Sequence, residues 1–169
     1  CIRDGMVDMG IEQAELTAQT VIDTLDADML ETLEPGSDEK KEYQLILEKL
    51  RDAQEKYEIA YLYTLYTDGN TVYYGVDADA SESHCAFGEK CETSYEELAT
   101  SFQGEDYVMD YIDRSEYGDL ISVYKPIRNS ANKIVGVLGC DYNANEIVER
   151  LKTSMTNVIK VSVLCLVVS

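Results

Sequence analysis

The sequence predicts an α+β fold in one domain of 169 residues, with a long N-terminal helix packed on an antiparallel sheet. Three observations predict it. An apolar stripe at helical spacing opens the chain, the hydrophobic period switches from about 3.6 to 2 near residue 58, and residues 117–142 read as a β-hairpin with two unlike faces.

The stripe runs Val7, Ile11, Ala14, Ala18, Val21, Leu25 and Met29, at alternating spacings of four and three, close to a heptad. A helix over 5–33 would be about 40 Å long at 1.5 Å per residue. That exceeds what one small domain covers, so part of the stripe is expected to meet a second copy as a homodimer. Glu34-Pro35-Gly36 stops this helix, and Ser37 is the expected N-cap of a second one, with Asp38 and Glu39 against its positive end. Tyr43, Ile46, Leu47, Leu50, Ala53 and Tyr57 carry the second helix to about residue 57.

Ile59, Tyr61, Tyr63 and Leu65 then alternate with Ala60, Leu62, Thr64 and Tyr66 as a strand. Asp68-Gly69-Asn70 makes the turn and Thr71–Val76 returns, through a loop of two or three residues. Residues 77–118 are irregular and rich in Ser, Glu, Asp and Gly, with a short helix near Ser94–Phe102; so long a connection is usually functional. The second hairpin centres on Asn-Ser-Ala-Asn. A turn centred on Ser130 and Ala131 pairs Leu120 with Asp141, Ser122 with Gly139 and Tyr124 with Val137. One face then carries Ile121, Val123, Ile127, Ile134, Leu138 and Cys140 and suits a core. The other carries Ser122, Tyr124 and Asp141 beside the small Gly139 and suits a cavity with polar groups in it. A helix over 144–156 follows, with Ile147, Val148 and Leu151 inward.

Residues 158–169 are apolar and β-branched with one lysine, Lys160. They are too short to span a bilayer, which takes about 20 residues, and read as the start of a transmembrane helix. The first residues carry neither an initiator Met nor a signal peptide, so both ends read as cut from a longer membrane protein. The expected layout is one domain over 1–157 (helical to 57, sheet and loop over 58–142, exit helix over 143–157) and a membrane segment over 158–169.

Composition narrows the function. Thirty-three acids against fourteen bases give a net charge of -19, which repels nucleic acid and anionic headgroups as partners. Tyrosine is abundant at 13, against 2 Phe and no Trp, and its flat apolar body with a polar tip suits a partly wet site. Catalysis is not expected: the single histidine, His84, lies in a loop beside cysteines, and no Gly-rich phosphate loop occurs, Gly136-Val-Leu-Gly139 lying within a strand. No cofactor is expected. Asp77, Asp79, Ser81 and Ser83 imitate the start of a calcium loop, but Glu82 stands where glycine is needed and Gly88 where glutamate is needed. Cys85 and Cys91 enclose five residues and read as a disulfide or a pair of free thiols in preference to a zinc site with His84 and a glutamate.

Two segments carry a resemblance. Tyr-Gly-Asp-Leu-Ile-Ser-Val-Tyr-Lys-Pro-Ile (117–127), a turn, then Lys-Ile-Val-Gly-Val-Leu-Gly-Cys-Asp-Tyr (133–142), resembles the last hairpin of the Cache family. These are PAS-like extracytoplasmic sensor domains of bacterial chemoreceptors, histidine kinases and cyclic-dinucleotide enzymes. Residues 63–79 are similar to the family's first hairpin, and Phe87-Gly-Glu and Phe102-Gln-Gly fall where such domains carry a Gly-Glu step and a connection ending in Gly. The resemblance covers roughly 59–150. It implies a single Cache domain with a PAS-like antiparallel sheet, outside the cytoplasmic membrane, binding a small molecule and relaying it through its terminal helices. The ending Val-Gly-Val-Leu-Gly-Cys-Asp-Tyr resembles methyl-accepting chemotaxis proteins in particular, with a histidine kinase or diguanylate cyclase, or a module that only assembles, as alternatives.

In that family an acid at the place of Asp141 commonly meets the ammonium of an amino-acid or amine ligand; the alternative for Asp141 is a cap on the following helix. The family's Arg, Trp and Tyr motif for amino acids is not visible here. The expected ligand is therefore an amine, an amino acid or a small organic acid. The expected binding residues are Asp141, Tyr124, Ser122, Tyr73 and Asp77, with Tyr73 and Asp77 as the far wall.

Overall fold

In the computed structural model, residues 2–109, 113–115 and 118–167 are described. The N-terminal helix α1 runs Ile2–Thr24 and a separate short helix, α2, runs Ala27–Glu31. The single long helix expected over 5–33 is thus broken. Asp26 breaks it: its backbone is extended and its carboxylate accepts from Met29 N at 2.9 Å, a cap that a mid-helix residue could not make. Helix α3 spans Lys41–Tyr57, three residues later than a Ser37 cap would set it. Ser37 is buried instead, its Oγ accepting from Glu34 N at 3.0 Å, so it closes the turn after α2. Glu58, in the left-handed region at φ 54°, ends α3.

The strands are β1 (Tyr61–Thr67), β2 (Val72–Asp77), β3 (Tyr107–Val108), β4 (Asp113–Ser115), β5 (Gly118–Arg128) and β6 (Ile134–Asn143). They form one antiparallel sheet in the order β2-β1-β6-β5-β3, with β4 also on β5. Helix α4, Tyr95–Phe102, lies between β2 and β3 and opens on a capping box between Ser94 and Glu97. Helix α5 spans Ala144–Val167. The side chains of Val7, Ile147, Val148 and Leu151, and residues 116–117 and 168–169, lie outside what is described. Among the described residues no helix is long and apolar enough to cross a membrane.

One sheet face carries the main core, where Ala14, Ala18 and Val21 of α1, Leu30 of α2 and Ile46 and Leu50 of α3 meet Leu62, Val123, Leu138 and Cys140. Each fully buried aliphatic side chain contributes about 1.5–3 kcal/mol. Ala14, Ala18 and Val21 of the α1 stripe are therefore consumed by its own sheet; Ala18 is 0% exposed. The apolar residues that α1 leaves outside are off the stripe, Met9 at 52% and Leu16 at 72%. Lys125 is buried on this face, ion-paired with Asp106 and 3.4 Å from Gln19 Oε1 of α1. The opposite face is smaller: α4 lays Leu98 near Leu65, Val72, Tyr124 and Val137.

Apart from Ile134, the second hairpin keeps the expected faces but not the expected partners. Ser122 pairs with Asp141, Tyr124 with Gly139 and Leu120 with Asn143, each two residues along from the expectation. The turn is longer than two residues, and this sets the shift. Asn129 N donates to Lys133 O, the Asn129 side chain accepts from Ala131 N and Lys133 N, and Asn132 takes a left-handed φ of 61°. An even slip leaves the side chains of 120–127 and 136–142 on their original faces, but a bulge between Ile127 and Arg128 packs Val135 against the core in place of the expected Ile134, which lies beside Gly104 and Arg128.

Candidate functional site

A cavity of about 220 Å³ opens where β1, β2 and β6 meet the loop after β2. Its wall includes Tyr61, Tyr63, Tyr74, Leu120, Asp77 and Asp141, and residues 79–92 of the loop supply Asp79, Ser83, Cys85, Glu89, Lys90 and Glu92. It is built by strand parity. Tyr63 sits opposite Gly139 and Tyr61 opposite Asp141, so alternate residues of β1 and β6 face the same side.

Asp141 is buried, 8% exposed, and its Oδ2 accepts from Tyr63 Oη at 3.0 Å. Gly139 makes room for that bond. A Cβ there would come within 2.6 Å of Tyr63 Cζ, so only glycine lets the ring lie flat on β6 and reach the acid two residues on. Burial drives the Tyr63 hydroxyl far above its ordinary range, and the charge of Asp141 adds to it. Tyr124 is raised for the same two reasons in the same order, its hydroxyl interacting with those of Tyr63 and Ser122. These phenols therefore stay protonated donors at neutral pH.

Asp141 does not cap α5. Asn143 does, its Oδ1 accepting from Asn145 N and Glu146 N at 3.1 Å each. The Asp141 backbone carbonyl accepts from Ala60 N at 2.9 Å, and the residue lines the cavity. Ser122 and Tyr124 stand behind it, both buried, and Leu120 is the β5 residue at the wall. The two hairpins do bring Asp141, Asp77, Tyr124 and Ser122 to one face of the sheet.

Tyr73 is not among them. Its ring stacks on Tyr66 at 5.4 Å on the helix-bearing side, and its hydroxyl donates to Asp68. The expectation followed an unbroken period of two from Asp77, but β2 is bulged. Tyr63 pairs with Asp77 and Leu65 with Tyr74, so β2 spends an extra residue at Gly75–Val76. Val76 N donates to Thr64 Oγ1 at 2.8 Å, and a Cβ on Gly75 would strike that same oxygen. The bulge turns Tyr74, not Tyr73, toward Asp77 and the cavity. A glycine inside a strand was the available signal.

Asp77 organises the loop. Its Oδ1 accepts from Asp79 N at 3.0 Å, its Oδ2 from Cys85 N at 2.8 Å, and His84 Nδ1 stands 3.8 Å away. Burial raises its pKa and outweighs the two amide bonds that lower it. Asp79 is held by Ser81, through N and Oγ. Among the described residues no group of three His, Cys, Asp or Glu side chains is arranged to hold a metal ion.

Cys85 and Cys91 are free thiols in the structure. Both interact with the Tyr74 hydroxyl, and burial pushes the Cys85 thiol up to about 11. The segment between them lies along β2, with Tyr74 N donating to Glu89 O and Gly88 N to Tyr74 O, both at 2.8 Å. This backbone pairing is what carries Cys85, Glu89 and Lys90 to the cavity, and nothing in their sequence spacing announced it.

No family model matches the chain, and no curated protein sequence is similar to it. Two solved structures resemble it in fold. One is the sensor domain of DcuS from E. coli, with a TM-score of 0.64 and 14% identity over 87% of this chain and 98% of that one. The other is the sensor domain of the histidine kinase DctB from V. cholerae, at 0.54 and 12%, over 89% of this chain and 60% of that one. The α+β architecture expected from the two hairpins is theirs: a long N-terminal helix on a PAS-like antiparallel sheet.

Proposed function

We propose that this domain is an extracytoplasmic small-molecule sensor of a membrane-tethered chemoreceptor, and that its cavity holds the ligand against Asp141. The observation that carries the reading is the division of labour between two adjacent residues of β6. Asp141 faces the cavity, while the buried Tyr142 faces α1 and donates its hydroxyl to Ala14 O at 3.1 Å. Strand β6 then enters α5 directly through the Asn143 cap. A ligand that draws on Asp141 therefore acts on a strand that grips one terminal helix and continues into the other. Because packed cores shift between discrete arrangements, small displacements at the site become movements of whole helices.

The fold likeness to a histidine-kinase sensor domain supports a kinase as the parent protein equally well. A homodimer through α1 would use the outward residues Met9 and Leu16, since the stripe around Ala18 is committed to the core. Leu16→Glu should then lower the sedimenting mass at high concentration without lowering the melting temperature, and an unchanged mass would remove α1 as the interface.

The experiment for the ligand reading is a thermal-shift screen against amino acids, amines and small carboxylates. A compound that binds only the folded domain raises its stability by RT ln(1 + [L]/Kd), about 2.7 kcal/mol at a hundredfold excess over Kd. A domain indifferent to the whole panel would speak for an assembly module.

A further inference from the structure

We infer that Cys85 and Cys91 form a reversible thiol–disulfide site on the cavity loop, so that the domain registers the oxidant level of its surroundings through the bond between them. The chemistry on the two sulfurs stands apart from what the cavity binds. Its use needs an oxidising compartment, which the extracytoplasmic placement proposed above supplies.

The two cysteines are held differently. Cys91 is 5% exposed in the smaller core, and its amide donates to Val72 O at 2.9 Å, which fixes it along β2. Cys85 is half-buried in the cavity wall, its amide donating to Asp77 Oδ2 at 2.8 Å and its thiol to Ser83 O at 3.7 Å. Between them the chain doubles back. Glu89 N donates to Ala86 O and Ala86 N to the Glu89 carboxylate, both at 3.0 Å, and Gly88 takes a positive φ of 90°. That turn returns Cys91 to the tyrosine that Cys85 already touches. Both sulfurs interact with the Tyr74 hydroxyl, and two sulfurs that reach one oxygen are neighbours.

Exposure assigns the roles. The Cys85 thiolate attacks one sulfur of a small-molecule disulfide that enters the cavity, forming a mixed disulfide and releasing one small thiol. The Cys91 thiolate then attacks Cys85 Sγ and releases the second small thiol. Two electrons pass from the protein's sulfurs to the small disulfide, and the two protons they give up leave on the two small thiols. Tyr74 serves both steps. Burial holds its phenol far above the ordinary range, so it stays protonated and donates to whichever sulfur ionises. Because Cys91 is anchored to a strand, the new bond draws Cys85 and its end of the loop toward β2, and the cavity wall changes with it.

Exposing the domain to oxidised glutathione, with alkylation and peptide mass as the readout, tests this. The peptide spanning both cysteines should lose two daltons, and excess reduced glutathione should restore both thiols. Cys91→Ala keeps the core position apolar and should stop at a glutathione adduct on Cys85. Cys85→Ser should leave Cys91 unmodified. Burial pushes the Cys85 thiol up to about 11, so the first step should accelerate about tenfold per pH unit between pH 7 and 9. Oxidation should raise the melting temperature by about 3–8 °C and slow amide exchange over residues 79–91. A first adduct on Cys91, a disulfide that excess reduced glutathione leaves intact, or amide exchange over 79–91 that oxidation does not change would overturn the inference.

Discussion

Gly139 is where the site and the fold make the same demand, so Gly139→Ala tests both. The added methyl would lie 2.6 Å from Tyr63 Cζ and 2.9 Å from Cδ2, well inside van der Waals contact, in a region where Val137, Leu138 and Cys140 are fully buried. The ring must lift from β6, and overpacking of this kind costs about 1–3 kcal/mol. Replacing glycine also restricts the unfolded chain, which returns about 0.4–1 kcal/mol. The net loss of stability is then ~0.5–2 kcal/mol, a fall of roughly 1–8 °C in a domain this size. A bare melting point is an ambiguous readout, so the assay is a double-mutant cycle with Tyr63→Leu by urea denaturation. Leucine ends before the Cε2 and Cζ atoms that meet the new methyl, so Gly139→Ala should become neutral or stabilising in that background. The expected coupling is ~1–2 kcal/mol. Coupling below about 0.5 kcal/mol would mean that Tyr63 does not rest on Gly139, and the placement of its hydroxyl on Asp141 would go with it.

Further expectations follow from single contacts. Tyr142→Phe removes the donor to Ala14 O in the buried α1–sheet interface and should cost about 1–2 kcal/mol, raising amide exchange in α1 near residue 14; unchanged exchange there would break the proposed relay. Burial holds the Asp77 pKa above its ordinary 3.8, so the folded state keeps this proton longer than the unfolded one. Its contribution to stability therefore falls as pH rises from near 3.8 through the raised value, and it stays low above that. Asp77→Asn should remove this slope while losing one amide acceptor, so the stability difference, wild type minus variant, should shrink as pH rises through that window; a constant or growing difference would refute the sign. The thiols of Cys85 and Cys91 both reach Tyr74, and under oxidising conditions the peptide spanning them should lose two daltons on forming a disulfide. Two persistent thiols after exhaustive oxidation would place them too far apart to bond.

Side-chain faces were legible in the sequence, whereas registers were not. The alternation in 120–128 and 134–142 assigned Val123, Ile127, Leu138 and Cys140 to the core and Ser122, Tyr124 and Asp141 to the other side, and all of them lie so. Alternation is a local property of each strand, so it survives an even slip, but partners depend on how the turn closes. That closure used the Asn129 side chain and the left-handed Asn132, which a two-residue turn ignores. Tyr73 lies away from the cavity for a related reason: the bulge at Gly75 breaks the period between it and Asp77. The break of the first helix at Asp26 is a contest between an apolar stripe and a side-chain cap, which the stripe alone does not reveal. The loop residues at the cavity, Cys85 and Glu89 among them, are placed by backbone pairing with β2, a tertiary contact without a local signature.

The central claim of the proposed function is that Asp141 binds the ligand. Calorimetric titration of wild-type and Asp141→Asn domains with the best compound from the thermal screen, alongside their unliganded melting temperatures, tests it most directly. Tyr63 can donate to an asparagine oxygen, and Asn143 already caps α5, so the variant keeps both of these contacts. Binding should be lost in the variant, with at least a hundredfold rise in Kd for a cationic ligand, about 2.7 kcal/mol of charge pairing. A variant that melts far below the wild type and still binds with unchanged affinity would contradict the account.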